Sequence, residues 1–517
     1  MTRGFWRRAA SVLLATGAVA ALLAACTPTA PARPGPDRTP ITQGAPAGFE
    51  EYYGQKVDWE KCRGIGEGDY YCASVTAPRD WTDADGGDIQ LSIIVRLASG
   101  GTSKGSLFVN PGGPGASGVD LVQQAAEFAV GSDLLDSYDV VGFDPRGVGR
   151  STPVRCFDAT AMDHYLFDIP AAPRGTPERS AEQRASAGSF ARACDVNSDG
   201  LLPYVTTQNA ARDLDLLRGV LGDEKLAYLG YSYGSFLGAT YAELFPRNVG
   251  RVVLDGGLDP SIPGAVVGAR QAVGFQSALD AFLKSCIEGS DCPFDGPVAN
   301  AQQQLSDALA AVDAAPLTAT DGRKLGSDAL VMGIVSALYS EGNWSTLSSA
   351  LAAVLQGDAD EMFELVDRYY NRYDGRYLDN STEAFSAYNC MDYPPDSDDV
   401  VAAANAEVAK DAPTFAPYWT SDVDLCDAWP YPPTGTRNEI HADGAAPILV
   451  IGTTNDPATP YEWSAALAKQ LSSGILLTRV GEGHTGFNKG NACIDDTVVA
   501  YFDEGTVPDG DVRCEAG

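Results

Sequence analysis

The sequence has few basic residues for its length. Its 517 residues include 36 lysines and arginines against 69 aspartates and glutamates, which gives a formal net charge of -33. A field of this sign repels phosphate backbones and anionic lipid surfaces, so we expect no nucleic-acid partner. Attachment to a membrane would therefore need a covalent or apolar anchor.

Histidine is also scarce, and no two cysteines have CxxC spacing. Only His164, His441 and His484 occur, so the ligand patterns of zinc sites are missing and we expect no metal. A glycine-rich loop at residues 110–115 is not followed by Gly-Lys-Ser/Thr, which argues against a phosphate-binding loop. An apolar content of 44% with 20% charged residues excludes wholesale disorder.

Long apolar runs are absent except at the N-terminus. Residues 9–25 are small or apolar and follow Arg3, Arg7 and Arg8, the pattern of an export signal that is shorter than the roughly 20 residues of a membrane span. Leu-Ala-Ala-Cys at residues 23–26 resembles a bacterial lipobox. The prediction is a lipoprotein signal peptide at residues 1–25 and lipidation of Cys26, with an ordinary cleaved signal as the alternative.

The segment after the signal has the composition of a tether. Residues 26–47 are rich in Pro, Thr, Ala and Gly, as in extended linkers between a membrane and a folded body. The predicted location is the outer face of the cytoplasmic membrane, by the lipid anchor, or the cell envelope and medium as a secreted protein.

The other cysteines are even in number. In an exported chain an even set indicates disulfides. Their connectivity does not follow from the sequence, and pairing of neighbours is the simplest guess. The ten candidates are Cys62, Cys72, Cys156, Cys194, Cys286, Cys292, Cys390, Cys426, Cys493 and Cys514.

The order of strand-like and helix-like segments along the chain predicts an α/β core that is interrupted by a helical insert. Strand and helix patterns alternate from residue 105 to 259, alanine-rich helical segments dominate residues 260–440, and the alternation then resumes. Such alternation favours a mostly parallel sheet with helices on both faces. The predicted parts are a core at 48–259, a helical cap at 260–440 and the rest of the core at 441–517.

Two GxSxG sequences offer a nucleophilic serine, and their context separates them. Ser103 lies in a polar loop before a strand, whereas Ser232 follows the predicted strand at residues 225–229 and precedes the predicted helix at 235–245. A nucleophile elbow needs a strand entering and a helix leaving the turn. Ser232 is therefore the predicted nucleophile.

A base and an acid follow at the ends of later strands. His484 lies in a glycine-rich loop after the strand at residues 475–480, and Asp456 follows the strand at 447–451. Functional loops meet at the carboxyl edge of such sheets. We therefore expect His484 to activate Ser232, and Asp456 to orient His484. The order Ser, Asp, His is that of α/β-hydrolases. Asp255, after the strand that follows the nucleophile, is an alternative acid.

An oxyanion hole needs two backbone N–H groups near the nucleophile. The first predicted donor is the amide of Tyr233, the residue after Ser232. The second is Gly112 or Gly113 in the loop Asn-Pro-Gly-Gly-Pro-Gly at residues 110–115, where adjacent glycines let the backbone turn inward.

These residues resemble the secreted tripeptidyl-aminopeptidase-like serine peptidases of actinobacteria. The group is related to proline iminopeptidase and includes mycobacterial envelope lipoproteins that are labelled carboxylesterases. Nearly all of the chain after the signal shares the resemblance, which rests on residues 59–62, 112–115, 144–151, 230–234, 390–392, 426–430, 456–460, 483–484 and a terminal cysteine pair. One departure is Asn110, where many relatives of proline iminopeptidase have histidine.

The resemblance implies an α/β-hydrolase fold with a helical cap over the site. It implies release of short peptides from free N-termini, with peptide or protein N-termini as the partners. We expect no cofactor, because a serine triad needs none. A carboxylate in the cap would bind the substrate amine, and Asp392 and Glu383 are the candidates. Thr459, within the motif that holds Asp456, is a candidate supporting residue.

Three functions remain open at this point. The first is an exported serine exopeptidase with Ser232 as the nucleophile. The second is a carboxylesterase or lipase that uses the same triad beneath a cap whose aromatic residues bind acyl chains. The third is a binding lipoprotein without activity, against which the intact set of catalytic residue types argues.

Overall fold

A large and mostly parallel sheet forms the centre of the protein. The computed structural model describes residues 35–36, 38–63, 68–419 and 423–516. Its strands in chain order are β1 (Glu60–Lys61), β2 (Tyr70–Asp80), β3 (Asp83–Arg96), β4 (Ser106–Asn110), β5 (Asp139–Phe143), β6 (Leu226–Tyr231), β7 (Val249–Asp255), β8 (Leu317–Thr318), β9 (Lys324–Leu325), β10 (Arg372–Tyr373), β11 (Arg376–Tyr377), β12 (Ile448–Asn455), β13 (Gly474–Glu482) and β14 (Val512–Cys514).

Ten strands of the described part form one sheet, in the order β1-β2-β3-β5-β4-β6-β7-β12-β13-β14. The pairs from β5 to β14 are parallel, and the pairs among β1, β2, β3 and β5 are antiparallel. β8 with β9 and β10 with β11 form two small hairpins. The predicted parallel sheet, interrupted between β7 and β12, is confirmed, and its topology is that of an α/β-hydrolase.

Helices cover both faces of the sheet and build the insert. In chain order they are α1 (Glu50–Tyr53), α2 (Gly118–Ser137), α3 (Ala159–Phe167), α4 (Pro177–Asn197), α5 (Thr207–Val220), α6 (Tyr233–Leu244), α7 (Gly264–Glu288), α8 (Val298–Ala314), α9 (Ser327–Leu338), α10 (Trp344–Leu355), α11 (Asp360–Tyr369), α12 (Ser381–Asp392), α13 (Asp398–Asp411), α14 (Ala416–Trp419), α15 (Tyr461–Gln470) and α16 (Ala492–Glu504).

Strand β6 shows why helices pack on both faces. Successive side chains of a strand point to opposite faces, and here both sets are apolar. Leu226 and Tyr228 pack in the cluster that includes α5 and α6, whereas Ala227 and Leu229 pack in the cluster that includes α2 and α16. A strand buried on both sides must carry a continuous apolar run, as the sequence of β6 does.

The cap has its own apolar core, which is built from two parts of the chain. Phe282 of α7, Ile334 of α9 and Phe363 of α11 belong to a cluster separate from those of the sheet. Phe167 of α3 belongs to the same cluster, although the sequence prediction placed this segment in the first part of the core. Arg372 of the cap reinforces the junction through its ion pair with Asp163 at 2.8 Å.

Helix α12 lies within the predicted cap range but packs on the sheet core. The Tyr388 side chain is buried among core residues, and its hydroxyl donates to the carbonyl of Arg146 over 2.9 Å. Asn380, just before the helix, accepts from the N–H of Gly149 and donates to the carbonyl of Gly147, each over 2.8 Å. This helix is therefore anchored directly to the core.

A buried ion pair explains part of the motif at residues 144–151. The Arg146 side chain is fully buried, and its guanidinium donates to both carboxylate oxygens of Asp213, each over 2.7 Å. It also donates to the carbonyls of Pro78 and Arg79. This fork-shaped pairing satisfies a buried charge, so Arg146 stabilises the core rather than contacting a substrate.

The end of the predicted tether is attached to the core. Arg38 forms ion pairs with Asp139 and with Asp223, the latter at 3.1 Å, and the N–H of Ile41 donates to the carbonyl of Gly219 over 2.8 Å.

The predicted signal peptide and Cys26 lie outside the described residues. In the described ranges, no helix combines the length and the apolar content that crossing a membrane requires.

Five disulfides join cysteines that are neighbours in the sequence, as the simplest pairing predicts. Each closes a loop of between 6 and 38 residues. Such links reduce the conformational entropy of the unfolded chain. The pairs are Cys62–Cys72, Cys156–Cys194, Cys286–Cys292, Cys390–Cys426 and Cys493–Cys514.

Candidate active site

Ser232 lies in the tight turn between β6 and α6. Its φ of 56° and ψ of -122° place it in the positive-φ region that residues other than glycine rarely adopt. Its N–H donates to the carbonyl of Asp255, at the end of β7, over 2.8 Å. The turn therefore holds the serine at the carboxyl edge of the sheet, directly before α6.

The two glycines around Ser232 are required by close packing. A Cβ at Gly230 would lie 2.3 Å from the carbonyl oxygen of Gly234, and a Cβ at Gly234 would lie 2.8 Å from Oδ1 of Asn110. The other GxSxG sequence has no such turn, because Ser103 lies between β3 and β4 and its hydroxyl donates to the carbonyl of its own loop.

His484 and Asp456 are in direct contact. Nδ1 of His484 lies 2.9 Å from both carboxylate oxygens of Asp456. The N–H groups of Ala458 and Thr459 donate to Oδ1 of Asp456, and the N–H of Thr485 and the hydroxyl of Thr459 donate to Oδ2, all within 3.0 Å. These donors hold the buried carboxylate in place and stabilise its charge.

The histidine lies over the connection that supports the serine turn. Gly256 directly follows Asp255, whose carbonyl accepts from Ser232. A Cβ at Gly256 would lie 2.9 Å from Oγ1 of Thr459 and 3.3 Å from Cε1 of His484. The structure thus brings the predicted nucleophile, base, acid and supporting residue to one edge of the sheet.

Asp255, the alternative acid, has a different set of partners. Its carboxylate is fully buried and accepts from the N–H groups of Gly486 and Phe487, each over 2.8 Å. Burial raises the pKa of Asp255 to about 6. Because Nδ1 of His484 contacts Asp456, the alternative is wrong, and Asp255 instead fixes the loop that follows His484.

The other two histidines lie at the surface. His164 is exposed on α3 and pairs with Asp168 at 3.0 Å, and the exposed ring of His441 contacts the carbonyl of Gln470. The ring contacts of both histidines thus go to their own surface neighbours and not to Asp456. Across the described ranges, no three His, Cys, Asp or Glu side chains cluster as metal ligands would.

The predicted oxyanion loop touches the serine turn, and the structure separates its two glycines. A Cβ at Gly112 would lie 2.9 Å from Cβ of Ser232 and 3.2 Å from the nitrogen of Tyr233. However, the Gly112 N–H already donates to Oδ1 of Asn110 over 2.9 Å. The prediction that Gly112 donates to the oxyanion is therefore wrong, and its lack of a side chain instead allows the loop to approach Ser232 closely. Gly113 and Tyr233 remain as the candidate donors.

Asp392, the first candidate for binding a substrate amine, is a structural residue. Its carboxylate is buried and accepts from the N–H and the hydroxyl of Thr207, over 2.9 and 2.6 Å. Thr207 is the first residue of α5, so Asp392 caps the positive end of that helix. Burial raises its pKa to about 6. These contacts occupy the carboxylate, and the prediction of an amine site there is wrong.

Glu383, the second candidate, is largely buried in the first turn of α12. Burial, together with the nearby charge of Asp379, raises the pKa of Glu383 to about 7. Its helix covers the oxyanion loop, because a Cβ at Gly115 would lie 2.6 Å from the carbonyl oxygen of Ser381. No Arg or Lys side chain of the described part forms an ion pair with Glu383.

Comparisons with known proteins agree with this geometry. A family described as "TAP-like protein" matches residues 412–514. Serine protease Hip1 of Mycobacterium tuberculosis is 35% identical over 482 residues, which are 90% of this chain and 92% of that protein. Carboxylesterase B of the same species is 36% identical over 456 residues, 86% of each chain. Tripeptidyl aminopeptidase of Streptomyces lividans is 30% identical over 483 residues, 89% of this chain and 86% of that one.

This chain belongs to the TAP-like family of α/β-hydrolases. Identity of 30% or more over nearly the whole length, with the fold and the sheet edge described above, makes it a serine hydrolase.

The TAP-like cap contributes a residue that the sequence did not single out. Tyr339, just after α9, accepts from the N–H of His484 over 2.9 Å, and its ring stands edge-on to the imidazole with centroids 5.4 Å apart. Tyr339 lies 145 positions from His484 and in no recognisable motif. Only the position of the cap over the sheet brings the two together.

Proposed function

We propose that this TAP-like hydrolase is an exported serine exopeptidase that releases short, tripeptide-like fragments from free N-termini through an acyl-enzyme at Ser232. The observation that carries the proposal is the contact of 2.9 Å between His484 and Asp456 at the sheet edge that also holds the Ser232 turn. Relatives named serine protease and tripeptidyl aminopeptidase supply the peptide as the substrate class.

The proposed acylation step uses Ser232, His484, Asp456 and the two oxyanion donors. Oγ of Ser232 attacks the scissile carbonyl while Nε2 of His484 takes its proton. Asp456 accepts from Nδ1 of His484, which keeps Nε2 free as the base and stabilises the imidazolium that forms. The N–H groups of Tyr233 and Gly113 donate to the developing oxyanion. His484 then protonates the departing amine as the carbon–nitrogen bond breaks.

Deacylation repeats the same steps with water. His484 takes a proton from a water molecule, whose oxygen attacks the ester carbonyl of the acyl-enzyme. The bond between that carbonyl and Oγ of Ser232 breaks, and the serine recovers its proton from His484. The peptide acid leaves and the enzyme returns to its starting state.

Glu383 is the proposed partner of the substrate amine. An ammonium group that enters a buried site needs a negative partner. Glu383 is a largely buried carboxyl on the helix that covers the oxyanion loop. Substrate binding would supply the positive charge that favours its ionised form. This arrangement predicts a preference for free N-termini over blocked ones.

A second candidate function is hydrolysis of carboxylic esters. It is favoured by the 36% identity to Carboxylesterase B, and the same triad performs both reactions. An ester substrate has no ammonium group, so this function would make no use of Glu383. The two candidates therefore differ in their demand for a charged amine.

Three matched substrates separate these functions. We expect release of nitroaniline from a free-amine tripeptide p-nitroanilide, little release from its N-acetylated twin, and no release by Ser232→Ala. A short-chain p-nitrophenyl ester tests the second function. Cleavage of the ester alone would favour the esterase, and activity that survives Ser232→Ala would refute the assigned nucleophile.

The pH dependence tests the amine site. The substrate ammonium is present below about pH 8, and Glu383 ionises above about pH 7. We expect the preference for the free-amine anilide over its acetylated twin to peak between these values and to be lost in Glu383→Gln. Glu364→Gln, an exposed glutamate of α11, is the matched control. A preference that survives in Glu383→Gln would exclude Glu383 as the amine partner.

We also propose that the protein is anchored outside the cytoplasmic membrane by a lipid on Cys26. The basic start, the apolar run and the lipobox-like sequence support this location, as do the disulfides of the described part. In a bacterial host fed with labelled palmitate, we expect label on the wild type and none on Cys26→Ala. Equal labelling of both would contradict the anchor.

A further inference from the structure

A cavity of about 490 Å³ lies beside His484. Pro111, which directly precedes the oxyanion glycines, and Tyr231, which directly precedes the nucleophile, are on its wall. Phe128 of α2 and Tyr339 of the cap line it as well. The cavity therefore adjoins the reacting atoms on the side of the histidine.

The chemistry of the reaction relates this side to one part of the substrate. In the proposed mechanism His484 protonates the departing nitrogen, so the leaving portion must lie against the imidazole. The acyl portion must extend away from it. α12, which carries the proposed amine partner Glu383, contributes no described residue to the lining of the cavity. The leaving portion of a peptide would thus lie in the cavity beside His484, and the acyl portion would lie toward α12.

The lining indicates which side chain the cavity suits. The ammonium of Lys489 lies 3.5 Å from the centroid of the Phe128 ring, yet the Phe128 side chain is still 60% exposed. An apolar side chain that covers the exposed part of the ring would remove that surface from water. The charged residues on the wall have both signs, Glu341 and Glu482 against Arg479 and Lys489. Opposite charges give little net attraction to either sign of ligand, so the apolar surface decides the preference.

We infer that this cavity binds the residue that follows the scissile bond and favours an apolar side chain at that position. The inference rests on the proposed acyl-enzyme mechanism and adds a specificity site to it. The site would act on the leaving portion alone and would not affect recognition of the free amine.

The same cavity must also accept an added amine that attacks the acyl-enzyme, because this attack is the reverse of the step in which the leaving amine departs. An added amino acid amide would place its side chain there and its nitrogen against the acyl-enzyme. The nitrogen attacks the ester carbonyl, the bond to Oγ of Ser232 breaks, and a proton passes from the nitrogen through His484 to Oγ. The product is a new peptide bond, with atoms and charge in balance.

The partition between hydrolysis and amide capture tests this inference. Acyl-enzyme is formed from a tripeptide p-nitrophenyl ester or p-nitroanilide in the presence of leucinamide or glycinamide, and both products are separated by chromatography. We expect the wild type to transfer more acyl group to leucinamide than to glycinamide. In Phe128→Ala this ratio should fall roughly tenfold, the effect of losing about 60 Å² of apolar contact. Tyr373→Ala, an exposed aromatic of the β10 hairpin, is the control.

The outcomes separate this inference from the proposed function. If neither chromogenic substrate releases its leaving group, the proposed function has failed. If the acyl-enzyme forms but leucinamide and glycinamide capture it equally, or Phe128→Ala keeps the wild-type ratio, the assignment of the cavity is overturned. It is also overturned if Phe128→Ala changes only the preference for the residue before the scissile bond, because the cavity then binds the acyl portion.

Discussion

Replacement of Asp255 by asparagine tests how the fold positions the catalytic histidine. The two oxygens of Asp255 each accept one backbone N–H, from Gly486 and from Phe487, over 2.8 Å. Asparagine keeps the size of the side chain but turns one acceptor into a donor. One backbone N–H would then face an N–H group, so the loop that begins at His484 must shift or lose a hydrogen bond.

The expected magnitude follows from burial. Asp255 is fully buried, and an unsatisfied buried donor costs about 1–3 kcal/mol. Only Thr485 lies between His484 and the first of the anchored amides, that of Gly486, so the shift reaches the imidazole. A misplacement of about 1 Å in a catalytic group costs roughly 100-fold in rate. We therefore expect kcat to fall between about 10-fold and 100-fold, while KM changes less, because α12 with the proposed amine partner Glu383 lies outside this loop.

The assay is steady-state kinetics on the tripeptide anilide together with urea denaturation. Asp259→Asn is a matched control, since Oδ1 of Asp259 accepts from Ser261 and Gln470 and asparagine retains that oxygen. The control should keep both kcat and stability. A wild-type kcat in Asp255→Asn, at the expected loss of stability, would refute the reasoning, because the loop would then not position His484.

Gly112, Arg146 and the pH dependence of Asp255 give three further predictions. Gly112→Ala should lower kcat at least about 100-fold, because its Cβ would press on Ser232 at 2.9 Å and disturb the oxyanion hole; near-normal turnover would contradict this. Arg146→Met should lower the free energy of unfolding by about 3–5 kcal/mol, since it leaves Asp213 buried without its cation, and urea denaturation that shows no loss would contradict it. Burial raises the pKa of Asp255 to about 6 from 3.8, so the folded protein binds this proton more strongly than the unfolded chain does. The resulting contribution to the free energy of unfolding is present below about pH 4 and is lost as pH rises to about 6. Denaturation of Asp255→Asn at several pH values should lack this component, and an unchanged pH profile would show that the carboxyl does not titrate there.

The sequence alone predicted the fold class because its signals are local. The apolar run of β6, the turn glycines and the helix pattern after Ser232 lie within about twenty consecutive residues, where periodicity and turn chemistry act. The scarcity of histidine reduced the search for a base to three residues. Chain order then fitted His484 as the base, with Asp456 or Asp255 as the acid, without any three-dimensional information.

The division into core and cap was less predictable from the sequence. Phe167 precedes the main insert by about a hundred residues but packs in the cap, and Tyr388 lies within the insert but packs on the core. A helical pattern indicates that one face of a helix is apolar. It does not say which of two apolar cores will cover that face.

The choice between acids depended on the sheet. Asp255 and Asp456 both follow strands, and no sequence signal separates them physically. In the structure Asp255 pairs with Ile451, and β12 continues beyond that point to Asn455. Asp456 therefore projects further along the edge, beside the loop of β13 that carries His484. Strand register, a property of paired strands, decides which carboxylate meets the histidine.

The sequence by itself determined the chemical residue types and their order along the chain. Ser232, Asp456 and His484 could be named because each follows a recognisable strand. Only the tertiary structure decided which polar groups are already occupied. Asp392 is held by Thr207, and the Gly112 N–H is held by Asn110. A hydrogen-bonding group has a limited number of partners, and those partners come from distant parts of the chain.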